Sequence, residues 1–241
     1  MIDILQAMSA QADKINSETY SYYPLFVDLH HKKIVVIGGG RVAGRKVIPL
    51  ISSGGDVLVV SPELTDELKQ LAAHGRITIR QREFRPEDLE GAWLVVSATD
   101  DRETQRQVVA EANRRRIFCN VVDIPDMCSF IVPSMVRRGD LCIAISTAGK
   151  SPAVAKRLRK EMEEAYPVIW GIYLQLLGKL REFILSSSSD SEEKTRLCNA
   201  LAEPNILKWL TEDDWESIAA WAESVCGQGA GDTVEGVRSN A

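Results

Sequence analysis

An apolar run, KIVVI, passes directly into three glycines, Gly38, Gly39 and Gly40, and then into a stretch where Ala43, Val47, Leu50 and Ile51 recur at helical spacing. A strand, a tight glycine turn and a helix in that order constrain a chain strongly. Gly38 permits the turn, Gly40 lets a ligand approach the backbone, and Ala43 lets the helix pack closely on the sheet. The helix would begin near Arg41 with its N-terminus turned towards phosphate groups. The turn is therefore read as the cradle of a dinucleotide pyrophosphate. Pro49 removes one backbone bond, so this helix is expected to be kinked or short.

The pattern repeats. The runs VLVVS, ITIRQREF, AWLVVSA and FCNVV alternate with helix-like stretches near residues 63–73 and 101–114. Strands that are apolar on both faces and separated by helices indicate a parallel sheet. A Rossmann-like α/β domain is thus expected over residues 23–123, after an extension at 1–22. Beyond it, SFIVPSMV and LCIAIST read as a hairpin around Arg137-Arg138-Gly139-Asp140, giving a segment at 124–150. Residues 151–225 read as a small helical domain broken at Ser186–Asp190. Residues 226–241 contain few apolar side chains, and a disordered tail is expected there.

With 241 residues, 45% of them apolar, the chain has room for two units. Its net charge of −5 argues against nucleic acid as a partner. It contains no apolar run of the roughly 18 residues that a membrane helix needs, and MIDILQAMSAQADK lacks the order of a secretory signal, so a cytoplasmic protein is expected. The five cysteines are scattered, which suggests neither a disulfide framework nor a metal site; buried small residues are expected instead. His30 and His31 read as solvated loop residues before the first strand.

At the end of the second strand stand Ser61, Pro62 and Glu63, where a carboxylate would take ribose hydroxyls. No arginine lies between Ser61 and Asp66 to clamp a ribose phosphate, which favours NAD over NADP. Ala98, Thr99 and Asp100, after the fourth strand, are placed beside the nicotinamide. A competing signal is Ala144-x-x-x-x-Gly149-Lys150-Ser151, close to a nucleotide-triphosphate loop, but no later strand supplies an acidic partner. The plainer reading caps a helix with Ser151, places Pro152 first, and buries Val154, Leu158 and Met162. Lys150, Lys156, Arg157, Arg159 and Lys160 flank that stripe, as a solvated face or as a hold on a polycarboxylate substrate.

YPLFVDL, VVIGGGRVAGRKV, LVVSATDD, RRIFCNVVDIPDMCSFIVPS and ISTAGKSPAVAKRLR together resemble the precorrin-2 dehydrogenase family, the dehydrogenase and ferrochelatase unit of siroheme synthases. The likeness covers residues 23–166. It implies oxidation of precorrin-2 to sirohydrochlorin with NAD, insertion of ferrous iron in many members, and a homodimer. The family's essential aspartate matches Asp123, and its cofactor contacts fall at Arg41, Val42, Pro62 and Glu63. Asn120, Thr147, Gly149 and Lys150 are expected to meet the substrate. Thr147 stands in Ser146-Thr147-Ala148-Gly149, where bacterial relatives often carry Ser-Ser-Gly-Gly. No methyltransferase segment follows, so one unit of the multifunctional synthase is expected. Two competing readings stand beside these: Asp123 as a plain turn residue before Pro125, and the whole chain as a non-catalytic NAD sensor.

Overall fold

The computed structural model describes residues 22–187, 190–203 and 205–239, so the expected extension, apart from Tyr22, lies outside the described residues, as do Ser188 and Ser189 of the polar run. The chain divides into two compact units, one ending at Val132 and the other beginning at Pro133. The boundary thus falls nine residues beyond Asp123, because the segment that follows β5 folds back onto that strand.

In the first unit, β1 (Lys33–Ile37), α1 (Arg41–Ser52), β2 (Asp56–Val60), α2 (Asp66–Ala73), β3 (Thr78–Arg80), β4 (Leu94–Ser97), α3 (Arg102–Arg115) and β5 (Phe118–Val121) follow one another. They form a five-stranded sheet in the order β3-β2-β1-β4-β5, parallel throughout. The order reverses between β1 and β4, which opens a crevice at the carboxyl ends of the strands. Val35, Ile37, Leu58, Val60 and Val95 pack on one face, and Ile34, Val36, Val57, Val59 and Val96 on the other. Two covered faces explain why these strands read as unbroken apolar runs.

Three local expectations change. First, α1 is not short: it runs through Pro49 to Ser52, twelve residues, because a proline in the last turn costs little beyond one carbonyl partner. Second, α2 begins at Asp66 rather than near residue 63, with the Thr65 amide bonded to the Gly39 carbonyl at 2.9 Å. Third, ITIRQREF yields only three strand residues. Arg80 and Arg82 turn onto the fully buried Asp88 at 2.5 and 2.6 Å, and Asp88 also accepts from the Arg85 amide at 2.9 Å. This cluster draws the chain into the 3-10 turn Pro86–Leu89.

The second unit opens with the antiparallel hairpin β6 (Ser134–Arg138) and β7 (Leu141–Ile145), closed by Gly139 and Asp140 alone. Ser129 to Pro133, read as part of the first strand, precede it. Among the described residues six helices follow: α4 (Pro152–Ala165), α5 (Ile169–Ser187), α6 (Ser191–Ala200), α7 (Asn205–Thr211), α8 (Trp215–Cys226) and α9 (Ala230–Arg238). Tyr173, Leu176, Leu180 and Ile184 of α5 form the spine of their core. Val154, Leu158 and Met162 are not buried in this unit, since α4 lies on the hairpin and keeps only a half-covered stripe.

The expected disordered tail is corrected: α9 occupies it. Ala230, Val234 and Val237 recur at helical spacing and are buried against the helical core. The Glu223 carboxylate accepts from the Gly229 and Gly231 amides at 3.0 and 2.9 Å, satisfying the start of the helix. Few apolar residues suffice when all of them fall on one face.

Candidate active site

The glycine turn is built from close approaches. Gly38 has φ +107°, and a Cβ there would lie 2.5 Å from the Ala98 carbonyl oxygen, so the ends of β1 and β4 exclude any side chain. A Cβ on Gly39 would collide with the Glu63 carbonyl. Gly40 differs. It is the N-cap of α1 in extended conformation, and a Cβ there would meet nothing within 4 Å. The fold does not demand glycine at 40; the bare backbone leaves open space at the start of a helix. No acidic residue occupies the first turn of α1, and no side chain caps it, so its first amides and the positive end of its dipole face that space. These residues fit a dinucleotide pyrophosphate.

Two adjoining clefts open along the strand ends. The smaller, about 540 Å³, is lined by Gly38 to Gly40, Ser61, Pro62, Glu63, Glu83, Phe84, Thr99, Asp100 and Asp101. The larger, about 1090 Å³, is lined by Gly40, Arg41, Val42, Arg45, Thr99, Asp100, Arg102, Val122, Asp123 and Ile124. Every residue expected to hold the cofactor therefore borders one or both clefts. The smaller has four carboxylates (Glu63, Glu83, Asp100, Asp101) and neither Lys nor Arg in its lining, whereas the larger mixes Arg41, Arg45 and Arg102 with Glu67, Asp100 and Asp123.

The loop after β4 is held from below. Gln105, 5% exposed on α3, donates to the Thr99 carbonyl at 2.6 Å. Asp101 caps α3, accepting from the Thr104 hydroxyl and amide at 2.5 and 2.9 Å and from the Glu103 amide at 3.3 Å; these bonds hold its carboxyl below the usual carboxylate range. Sequence reasoning missed Glu83, Phe84, Asp101 and Gln105. Glu83 and Phe84 were hidden in a run read as one long strand. Gln105 carried a signal, as a polar residue in register with Val108 and Ala112 on the buried side of a helix.

Asp123 follows β5 with φ +62°, a conformation uncommon outside glycine, and borders the same cleft as Arg41 and Val42. The Val122 amide donates to the Ser97 carbonyl at 2.9 Å, tying this turn to the end of β4. Asn120 is not brought to the cleft. It is 8% exposed, and its amide donates to the Phe130 carbonyl at 3.0 Å.

Thr147, Gly149 and Lys150 belong to the second unit. There the Thr147 hydroxyl donates to the Ser151 carbonyl at 3.1 Å and the Lys150 amide to the Thr147 carbonyl at 2.9 Å, with Ala148 and Gly149 at φ +49° and +78°. Ser151 caps α4 by accepting from the Val154 amide at 3.3 Å. Among the described residues only helices follow, so the triphosphate-loop reading finds no acidic strand end.

A parallel sheet with its glycine turn at the switch point and an anion-ready helix start defines a nicotinamide-dinucleotide-binding α/β protein. Residues 25–134 match a family model described as "Putative NAD(P)-binding", and residues 138–165 match one described as "Sirohaem biosynthesis protein central". The chain is similar to part of the siroheme synthases. It is 43% identical over 205 residues to Siroheme synthase 3 of Aeromonas hydrophila, covering 85% of this chain and 44% of that protein. Against the siroheme synthase of Photorhabdus laumondii it is 44% identical over 161 residues, covering 67% and 34%. The chain therefore spans less than half the length of these relatives. A solved structure titled "SirC, precorrin-2 dehydrogenase" shares the fold, with a TM-score of 0.73 at 24% identity over 84% of this chain and all of that one.

Proposed function

We propose that this chain is an NAD-dependent precorrin-2 dehydrogenase, oxidising precorrin-2 to sirohydrochlorin in siroheme biosynthesis. The observation that carries the reading is that the start of α1, built to hold a pyrophosphate, and Asp123 open onto one cleft. NAD held in this cleft would supply the acceptor for the hydride that leaves the macrocycle. The chain's own part is to place and deprotonate. Gly40 and the first amides of α1 hold the pyrophosphate, Glu63 accepts from the ribose hydroxyls, and Thr99 and Asp100 wall the nicotinamide side. Asp123 takes the proton that must leave the macrocycle with the hydride. A ribose phosphate in the smaller cleft would meet Glu63 and Glu83 with no cation in the lining, which supports NAD over NADP.

Purified protein given precorrin-2 and NAD should produce NADH together with the absorption bands of sirohydrochlorin; neither appearing overturns the reading. Asp123→Ala should lower kcat by about 100-fold or more while NAD still binds, and full activity would remove Asp123 from the reaction. Thr147, Gly149 and Lys150 are proposed to meet the substrate's carboxylates, so their alanine variants should raise KM for precorrin-2 and spare that for NAD. The same reading makes the protein a cytoplasmic homodimer, which sedimentation of the full chain tests. Ferrous iron enters as a second substrate, and siroheme formed from sirohydrochlorin and Fe²⁺ is the readout. No observation favours a non-catalytic sensor.

A further inference from the structure

The turn that presents Asp123 is held from inside by a thiol. The chain leaves β5 at Val121, turns through Asp123 at φ +62°, passes the 3-10 turn Pro125–Met127 and returns along β5, where the Ser129 amide donates to the Cys119 carbonyl at 2.8 Å. Cys128 Sγ sits at the centre of that excursion. It accepts from the Val121 amide at 3.2 Å, and its proton can go to the Val121 or the Ile124 carbonyl, each at 3.3 Å. Asn120 Nδ2 lies 3.6 Å from the same sulfur and donates to the Phe130 carbonyl at 3.0 Å. Val121 and Ile124 bracket Asp123, so the sulfur bonds to both ends of the strained segment.

A non-glycine residue in the left-handed region is kept there only when its surroundings over-determine it. Here the restraint comes from within the loop, and at the closing end from Asn120 and Ser129. We infer that Cys128, with Asn120 behind it, is a positioning residue for Asp123: the thiol ties Val121 to Ile124 and so fixes where the carboxylate stands in the cleft. The inference rests on the proposed role of Asp123. Among the described residues the thiol's hydrogen bonds go to Asn120, Val121 and Ile124, and none goes to the cofactor turn or to the residues around Glu63, so cofactor binding should not depend on it.

The test compares C128A and C128S with D123A and the double variant D123A/C128A in the full chain. C128A should lower kcat at least tenfold, keep the NAD dissociation constant within about twofold, and be partly rescued by C128S, which restores a donor. In the D123A background C128A should cost nothing further, because the thiol acts through Asp123. A C128A kcat within twofold of wild type, or a loss that adds fully to that of D123A, overturns the inference. Should C128A fail to fold, C128V, which also lacks a donor but fills more of the thiol's space, carries the same comparison with the same outcomes. A wild-type protein that does not oxidise precorrin-2 overturns the proposed function instead. The crystal structure of the cysteine variant then decides: Asp123 displaced from φ near +62° supports the staple, and Asp123 unmoved overturns it.

Discussion

Gly38 and Gly40 are the same residue type serving different ends, and single substitutions separate them. Gly38→Ala places a Cβ against the Ala98 carbonyl at positive φ, so it should destabilise the first unit by about 2 kcal/mol or more. Gly40→Ala meets no protein atom and should leave the melting temperature unchanged while weakening NAD about tenfold, read by NADH fluorescence. Asp88 gives a prediction in pH. Burial alone would raise its pKa, but Arg82, the Arg85 amide and Arg80 outweigh it and hold the carboxyl at about 2. The folded value lies below the unfolded one, so the stabilisation is complete above about pH 4 and is lost as pH falls through about 2; it amounts to about 2 kcal/mol. Asp88→Asn should remove that acid-limb slope in denaturant titrations and cost about 3 kcal/mol at neutral pH, because two arginines lose their buried partner.

At the scale of elements, α9 shows how capping and spacing outweigh composition. Its fifteen-residue neighbourhood is rich in glycine and poor in apolar groups, yet Ala230, Val234 and Val237 fall on one stripe. The spacing was legible; the carboxylate of Glu223 reaching two amides of the next turn was not. Val234→Ala should cost about 2 kcal/mol through the cavity it leaves, and Glu223→Ala about 1 kcal/mol through the lost cap. Both should leave NAD affinity untouched, and a change in that affinity would contradict the assignment of α9 to the second unit's core. β3 failed in the opposite sense. ITIRQREF has the composition of a long strand, but an edge strand ends where its arginines find a buried acid, and Asp88 lies six residues beyond Arg82.

For the whole molecule, the two units carry separate apolar cores, one around the parallel sheet and one around α5. The glycine turn and both clefts lie in the first. Calorimetry should therefore resolve two transitions, and NAD at a hundred times its dissociation constant should stabilise only one, by about 2.7 kcal/mol. A shift of both by the same amount would show that the units unfold together. No described helix is long and apolar enough to cross a membrane.

The order of elements, the parallel sheet and the glycine turn followed from sequence, because strands covered on both faces and a turn that excludes Cβ leave local marks in residue type. The place of Asp123 just after β5 was legible through its motif. Its left-handed backbone, the thiol that brackets it and the withdrawal of Asn120 into the fold were not, since each depends on a segment that returns ten residues later to lie along β5. The acidic lining of the smaller cleft was hidden for the same reason: Glu63, Glu83 and Asp101 are distant in sequence and meet only where β2, β3 and β4 end on the two sides of β1. Local spacing writes elements into a sequence; the convergence of strand ends, which makes the site, exists only in three dimensions.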